Sequence, residues 1–592
     1  MAKKNYPLYE TTVFRDFRVM VENAAEKFPA RPAIRYKKNP RKPEITEITY
    51  EQMKNDVRDL GTSEIALGCR GTQVSIIGES SYEWIITYFS LMASGAVTVP
   101  IDKELPMPDM QSIIVSSGST VVFYTKAVEE KLMQMELPAV RTYVCMTPDT
   151  EPDIEEAHRI SDLIADGGRR FAEGDRSYYE YEIDPDRLAS IVFTSGTTGK
   201  GKGVMLSTTN IVSDMTQGMY NFAITDSTLA VLPPHHTFCS TVVFVGHLAQ
   251  GACLYLSAGL RYLMNELKEV QPTHLVLVPL FVETFYKRIW ANAEKQGKAD
   301  ALRKLIAFSN KLRKVGIDMR KKLFASVLAA FGGKVEFIIC GGAALNQDII
   351  DTFDGIGITI LNGYGITECA PLISCNRNKL QKPGSVGTPI IGEELKILDP
   401  DENGEGEICV RGTNVMLGYY NDPEATAAAF TEDGFFRTGD YGKLDEDGWV
   451  YITGRLKNLI IFSNGKNVYP EEIETEISRI PGVNEVVVYA GESRSDPQKE
   501  VIVAEIYPDF DYLRAHGVPD EEALSYFEKN VKEINARMVS YKAVGKVKLR
   551  HEEFVKNTSK KIVRFKIDKS IDEPESDPDL QNARVEQTAS KE

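Results

Sequence analysis

One short arrangement limits the folds open to this chain more than any other. Val74-Ser75-Ile76-Ile77 reads as a buried strand, Tyr82–Met92 as a helix and Ala96–Val99 as a second strand. Strand, helix and strand in so few residues make a β-α-β unit, and the helical crossover makes the two strands parallel. Parallel strands are covered on both faces, so an α/β fold of layered sheets is expected. Later apolar runs fit the same plan: His274–Val278, Val335–Cys340 and Ile358–Leu361. Near the start, Val13, Phe14, Phe17, Val21, Ala24 and Ala25 recur at helical spacing until Pro29 stops them.

From Pro383 the texture changes. Dense glycines and short alternating segments predict a small β-rich subdomain, and after Gly454 a mixed segment follows, with EEIETEISRI as helix and EVVVYA as strand. The expected organisation is a large N-terminal domain over 1–454, a junction at 455–458 and a smaller α+β domain over 459–571. The stretch 572–592 carries seven acids, two bases and almost no large apolar residue, the composition of a disordered tail.

Composition excludes some functions. A net charge of −16 over 592 residues argues against a nucleic-acid binder. Eight cysteines without a C-x-x-C pair suggest free thiols in a reducing compartment. The N-terminal lysines have no apolar run behind them, so no signal peptide is expected. Trp84–Val99 is too short and too polar for a spanning helix. A cytoplasmic protein is the expectation, with transient membrane contact and the oligomeric state left open.

The stretch from Gly196, G-T-T-G-K-G-K-G, resembles a Walker A loop through Lys202. Gly203 then stands where that loop needs a metal-binding hydroxyl, and VMLS is a poor helix start. The loop instead joins two apolar runs, as a hairpin would. Its glycines could still turn backbone N–H groups toward phosphate, with hydroxyls and Lys202 adding donors and charge. A polar surface turn is the other reading of these residues alone.

Four further segments decide between them: NGYGITE (Asn362–Glu368), FRTGD (Phe436–Asp440), GRLKNLIIFSNGKNVYPEEIE (Gly454–Glu474) and NTSKKIVR (Asn557–Arg564). With Ser195–Gly203 they resemble, in order and over roughly residues 12–570, the motifs of the adenylate-forming superfamily. That superfamily includes acyl-CoA synthetases, peptide-synthetase adenylation domains and firefly luciferase. Gly201 replaces the usual proline, which should loosen the loop. Lys560 replaces a glycine, so which lysine of the pair enters the site is open.

The resemblance implies ATP, Mg2+ and CoA as reactants and cofactor. Thr194, Ser195, Gly196, Thr197, Thr198, Gly199 and Lys202 would cradle phosphate. Thr194 and Glu368 would hold Mg2+, and Thr367 would donate to the α-phosphate. Gly342, Ala343, Asn362, Gly363 and Tyr364 would line the adenine. Asp440 would accept from the ribose hydroxyls, with Arg455 beside it. Lys561 would bridge the substrate carboxylate and the α-phosphate. Lys457 marks the hinge about which the C-terminal domain turns, and Gly465 the CoA channel. Each has a plain alternative: Glu368 as a helix-terminal acid after a Thr367 cap, Asp440 as a turn residue, the lysines as a solvated run.

In Leu232–Gly251, the resemblance puts His236 near the substrate carboxylate. Val242, Val243, Phe244 and Gly246 then suit an alkyl chain, or simply belong to the core. His235 and His236 have no partner at zinc-ligand spacing. No acid stands early in the segment to pair an amine. Among branches, bacterial medium- or long-chain fatty acyl-CoA synthetases look nearest. The alternatives are transfer to an acyl carrier protein and a non-catalytic relative, the latter disfavoured by the intact Glu368, Asp440 and Lys561.

Overall fold

The computed structural model describes residues 9–194, 201–224, 226–462, 466–493, 501–556 and 561–571. Ser195–Gly199, Gly465, Lys560 and the tail 572–592 lie outside them. Two compact units are present. One takes the chain up to Thr438 with Lys443–Ile452, the other Gly439–Gly442 with everything from Thr453 onward.

The first unit holds two large sheets, entered alternately. β1 (Pro32–Tyr36) and β2 (Thr46–Thr49) start one of them. The chain then lays down β3 (Gln73–Ile77), β4 (Val97–Ile101), β5 (Val121–Tyr124), β6 (Thr142–Cys145), β7 (His158–Arg159), β8 (Leu188–Thr194) and β9 (Lys202–Ser207) in the other. It returns for β10 (Ser227–Ala230), β11 (Cys253–Leu256), β12 (His274–Leu277), β13 (Phe337–Cys340), β14 (Thr359–Gly365), β15 (Leu372–Cys375) and β16 (Thr388–Pro389). β17 (Glu394–Leu398) and β18 (Gly406–Arg411) begin a small sheet, β19 (Gly418–Tyr419) rejoins β9, and β20 (Phe436–Leu444) and β21 (Val450–Arg455) complete the small sheet. The eight-stranded order is β19-β9-β8-β4-β3-β5-β6-β7 and the nine-stranded order β16-β15-β14-β13-β12-β10-β11-β1-β2.

The β-α-β expectation holds: β3 and β4 pair in parallel, Val74 opposite Thr98. The helix between them runs Tyr82–Ser94, two residues beyond the expected end. Ser81 caps it by accepting from the Trp84 N–H, and Gly95 at φ 85° ends it. Apart from Glu83 every residue of this helix is buried, so it is a core helix wrapped on all sides. Inside it, Glu64 accepts from Ser90 Oγ at 2.6 Å and Ser94 Oγ at 3.3 Å. Burial pushes the Glu64 carboxyl up to about 8, against the two hydroxyls. No helix among the described residues is long and apolar enough to cross a membrane.

The first helix starts later than its periodicity suggests. It runs Phe17–Lys27, because the Asp16 carboxylate accepts from the Val19 N–H at 2.9 Å and fixes the start there. Val13 is left exposed while Phe14 still reaches the core. All eight cysteines are buried, and none forms a disulfide.

In the second unit, Val483–Gly491 pairs antiparallel with Val501–Pro508, which pairs in parallel with Val544–Leu549. Helices Pro470–Ile477 and Ala523–Asn535 cover the sheet, closing a core of Ile473, Ile477, Val488, Ile502 and Phe527.

Candidate functional site

The glycine-rich stretch does close a hairpin. β8 and β9 are antiparallel, with Phe193 opposite Gly203 and Thr194 opposite Lys202. The helix that follows starts only at Thr208. A Cβ on Gly203 would stand 3.0 Å from Ile191 Cγ2 and 3.2 Å from Tyr420 Cβ, so a side chain would be crowded where a Walker loop has its hydroxyl. A Cβ on Gly201 would stand 2.9 Å from the Thr194 carbonyl oxygen. That crowding favours glycine there on steric grounds. Thr194 Oγ1 lies 3.5 Å from the Lys202 carbonyl oxygen, across the mouth of the hairpin.

β19 adds a residue that the motif reading passes over. It pairs antiparallel with β9, Tyr419 opposite Val204. The Tyr419 ring lies under the Lys202 ammonium, 4.6 Å from its centroid, and the Tyr419 hydroxyl donates to Glu368 Oε1 at 3.0 Å. Burial, then the neighbouring Glu368 carboxylate, raise the Tyr419 phenol, so it stays a donor. Tyr419 thus ties the hairpin to Glu368, and Thr194, Lys202 and Glu368 come to one place.

Glu368 is positioned from both sides of its backbone. β14 runs four residues past its expected end, to Gly365, and carries Asn362, Gly363 and Tyr364 within it. A Cβ on Gly365 would stand 2.0 Å from the Pro371 oxygen, so only glycine permits this close return. Ile366 then donates to that oxygen at 2.9 Å, and the Met416 N–H donates to the Glu368 carbonyl at 2.8 Å. Thr367 does not cap an α-helix: Thr367–Cys369 is a single 3-10 turn, because the chain must turn straight back into β15. Gly342, at φ 89°, and Ala343 follow β13 and are exposed; Asn362 lies opposite Cys340 on the neighbouring strand. These residues sit at the carboxyl ends of adjacent strands, where α/β sheets bind ligands.

His236 precedes a π-helix, Phe238–Val245, and its carbonyl accepts from the Cys239 and Ser240 N–H groups. The π-helix was not legible in the sequence. Val242, Val243, Phe244 and Gly246 are all buried in the main core, Phe244 against Trp84. A Cβ on Gly246 would stand 2.5 Å from Met219 Cε, so this segment packs directly on the helix Thr208–Met219. His247 Nδ1 lies 3.0 Å from the Val242 carbonyl, and its Nε2 2.8 Å from His274 Nε2. Both rings are buried, and desolvation lowers both, so the pair is neutral. His235 has an acid that sequence spacing hides: its Nε2 is 3.5 Å from Asp102 Oδ2. Desolvation nevertheless lowers His235, Asp102 opposing. No group of three or more His, Cys, Asp or Glu suited to a metal exists among the described residues.

Within the second unit a separate cluster forms. Asp440, buried, pairs with Arg455 Nε at 2.8 Å, and Tyr441 stacks on Tyr469 at 4.5 Å. Lys561 is solvent-exposed at its surface yet hemmed in by protein. Desolvation and Arg455 lower its ammonium, Asp440 opposes them, and Lys457 lowers it further. Asp440, Arg455, Lys457 and Lys561 therefore act on one another electrostatically. Lys457 itself sits in the 3-10 turn Leu456–Asn458. Arg564, three residues after Lys561, donates to Glu474 Oε2 at 2.5 Å and to the Val488 carbonyl at 3.2 Å, which anchors the terminal segment.

Comparison with known proteins gives the family and the fold. The AMP-binding enzyme family matches over residues 21–420, which includes the hairpin, Glu368 and Tyr419. The long-chain-fatty-acid–CoA ligase FadD15 of Mycobacterium bovis is 29% identical over 474 residues, covering 75% of each chain. A chloroplastic long-chain-fatty-acid–acyl-carrier-protein ligase, AEE15 of Arabidopsis thaliana, is 27% identical over 546 residues, covering 80% of this chain and 74% of that one. Among solved structures, ATP-bound MatB from Rhodopseudomonas palustris superposes with a TM-score of 0.71 at 23% identity, over 93% of this chain and 98% of that one. The matched region spans most of the described chain, and this protein belongs to the AMP-binding enzyme family.

Proposed function

We propose that the protein activates a medium- or long-chain fatty acid with ATP and passes the acyl group to CoA. In the first step a carboxylate oxygen bonds to the α-phosphorus and the bond to pyrophosphate breaks, giving acyl-AMP. In the second the CoA sulfur bonds to the acyl carbon, AMP leaves with the bonding pair, and the thiol proton is released. The observation that carries the reading is the Lys202–Tyr419–Glu368 contact at the mouth of the hairpin. A cation, a phenol and a carboxylate held together in this way suit a triphosphate and its metal ion. The names of the curated relatives supply the fatty acid and the thiol.

Lys202 and the loop amides would bind phosphate, and Thr367 would donate to the α-phosphate. Glu368 and the Thr194 hydroxyl fit Mg2+, a hard cation that keeps several waters and shares phosphate oxygens, so one protein carboxylate suffices. When bound, the ion would neutralise phosphate charge. Gly342, Ala343, Asn362, Gly363 and Tyr364 would receive the adenine. Asp440, held by Arg455, would accept from the ribose hydroxyls. Lys561 would stabilise charge as the carboxylate attacks, and its lowered pKa fits a partly desolvated cation. His236 would meet the carboxylate, and Val242, Val243, Phe244 and Gly246 would form a wall of the acyl site. Lys457 would serve as the hinge between the two steps, and Gly465 would line the CoA path. Eight cysteines outside any disulfide favour a reducing, cytosolic setting.

The test is pyrophosphate release with acids of graded chain length, with and without CoA. Turnover that depends on acid and on CoA supports the reading, and Lys561→Ala should lower the first step by about a hundredfold or more while ATP still binds. A single burst that holo-carrier protein relieves and CoA does not would move the acceptor to a carrier protein, as the name of the Arabidopsis relative suggests. Release with no acid at all, or normal rates in Lys561→Ala, would sink the assignment.

A further inference from the structure

The chain carries a net charge of −16, yet its residues 287–334 hold thirteen Lys and Arg against three Asp and Glu, a local charge of +10. Five of the thirteen bases lie on the helix Ala299–Lys314. Leu302, Leu305 and Ile306 face inward and pack on the core beside Phe353 and Ile356. At 100° per residue the opposite face gathers Arg303, Lys304, Ala307, Phe308, Lys311, Lys314 and Val315 within an arc of about 140°. Phe308 is 53% exposed and Val315 71%. The turn continues the pattern, with Ile317 49% and Met319 38% exposed.

The basic groups differ in what already holds them. Arg313 and Arg320 are bound to Asp354, and Arg303 to Asp300 and the Trp290 ring. Lys304, Lys311 and Lys314 make no salt bridge among the described residues. Four large apolar side chains in water beside unpaired lysines are costly unless something covers them. Structural stability does not explain them, since the inward face already supplies the packing.

We propose that this face, the helix Ala299–Lys314 with Val315–Met319, rests on an anionic membrane surface. Phe308, Val315, Ile317 and Met319 would enter the headgroup region while Lys304, Lys311 and Lys314 pair with lipid phosphates. Basic clusters are drawn to anionic lipid, and apolar side chains beside them gain by leaving water for the headgroup boundary. A second copy of the chain is disfavoured, because two such faces repel. An acidic protein would satisfy the lysines, but it would need a complementary apolar groove, whereas a bilayer accepts apolar side chains without one.

The experiment is sedimentation of the full chain with vesicles of phosphatidylcholine, alone or with roughly one third phosphatidylglycerol. Binding should need the anionic lipid and weaken as salt rises. Lys304→Glu, Lys311→Glu and Lys314→Glu together should lower partitioning about a hundredfold. Phe308→Ser, Val315→Ser and Ile317→Ser together should lower it at constant charge. Wild-type pyrophosphate release with a short soluble acid shows that each variant is folded. If one is not, the salt dependence of the wild type and single Lys311→Ala decide. No binding to anionic vesicles, binding indifferent to lipid charge, or binding unchanged in both variants overturns the proposal. So does capture of an acidic acyl carrier protein by this face with no vesicle binding.

Discussion

The two large sheets of the first unit share a plan and differ in what their edges deliver. In each, the interior strands are parallel and buried; β5 and β13 are buried at every position. The first turns antiparallel at one edge, β8-β9-β19, and the second at both, β1-β2 and β14-β15-β16. The candidate site draws on two of these edges, β8-β9-β19 and β14-β15-β16. The first presents a hairpin loop whose two ends, Thr194 and Lys202, are locked opposite each other. The second presents a strand that carries Asn362–Tyr364 and turns back tightly after Glu368. Parallel strands need long crossovers, so their loops leave the sheet in different directions. An antiparallel pair holds both ends of a connection in register. Interior strands thus serve stability, and the edges supply chemistry.

That division can be broken by substitution. The largest effect should come from the interior: Phe123→Ala, in β5, should cost about 3–5 kcal/mol, read as a lower urea midpoint, with the KM values of the surviving folded protein unchanged. A selective loss of ATP affinity there would contradict the comparison. At the second edge, Glu368→Gln should lower acid-dependent pyrophosphate release about a hundredfold with little change in the urea midpoint. Tyr419→Phe removes only the hydroxyl that spans the two edges. It should slow the reaction by about tenfold, the low end of what one hydrogen bond to a charged group is worth. A larger drop in Tyr419→Phe than in Glu368→Gln would mean that the phenol itself acts on substrate.

The smallest effect is a pH dependence. Glu64 is protonated in the folded state up to about pH 8 and ionises near pH 4.5 when unfolded. Between those values the folded state binds the extra proton, so stability falls as pH rises and the loss is complete above the folded pKa. Glu64→Gln should flatten this decline between pH 5 and 9 in thermal melts and leave the pH 5 value nearly unchanged.

What was legible in the sequence follows the same line. The strands and the helix Tyr82–Ser94 announced themselves because full burial demands continuous apolar runs. The hairpin was legible because Gly203 breaks the Walker pattern and VMLS, which follows, is a poor helix start. Tyr419 was not, since it lies 51 residues from Glu368 in a strand of two residues, and only its pairing with β9 gives it a role. Asp102 beside His235 was hidden for the same reason. The start of the first helix was misplaced because a cap, Asp16, outweighs two apolar residues before it. The π-helix over Phe238–Val245 escaped because its i→i+5 bonding leaves no familiar pattern of apolar residues, and because the group that holds its Val242 carbonyl, His247, lies beyond its end.

The burial of every cysteine has a practical side. Desolvation raises the thiols of Cys69, Cys239, Cys340 and Cys375, so native sulfur reacts slowly with maleimides and disulfide reagents. A single cysteine placed on the surface of either unit would then carry a fluorophore or spin label against a silent background, without first stripping the native thiols. The fold comes ready for distance measurements between its two units.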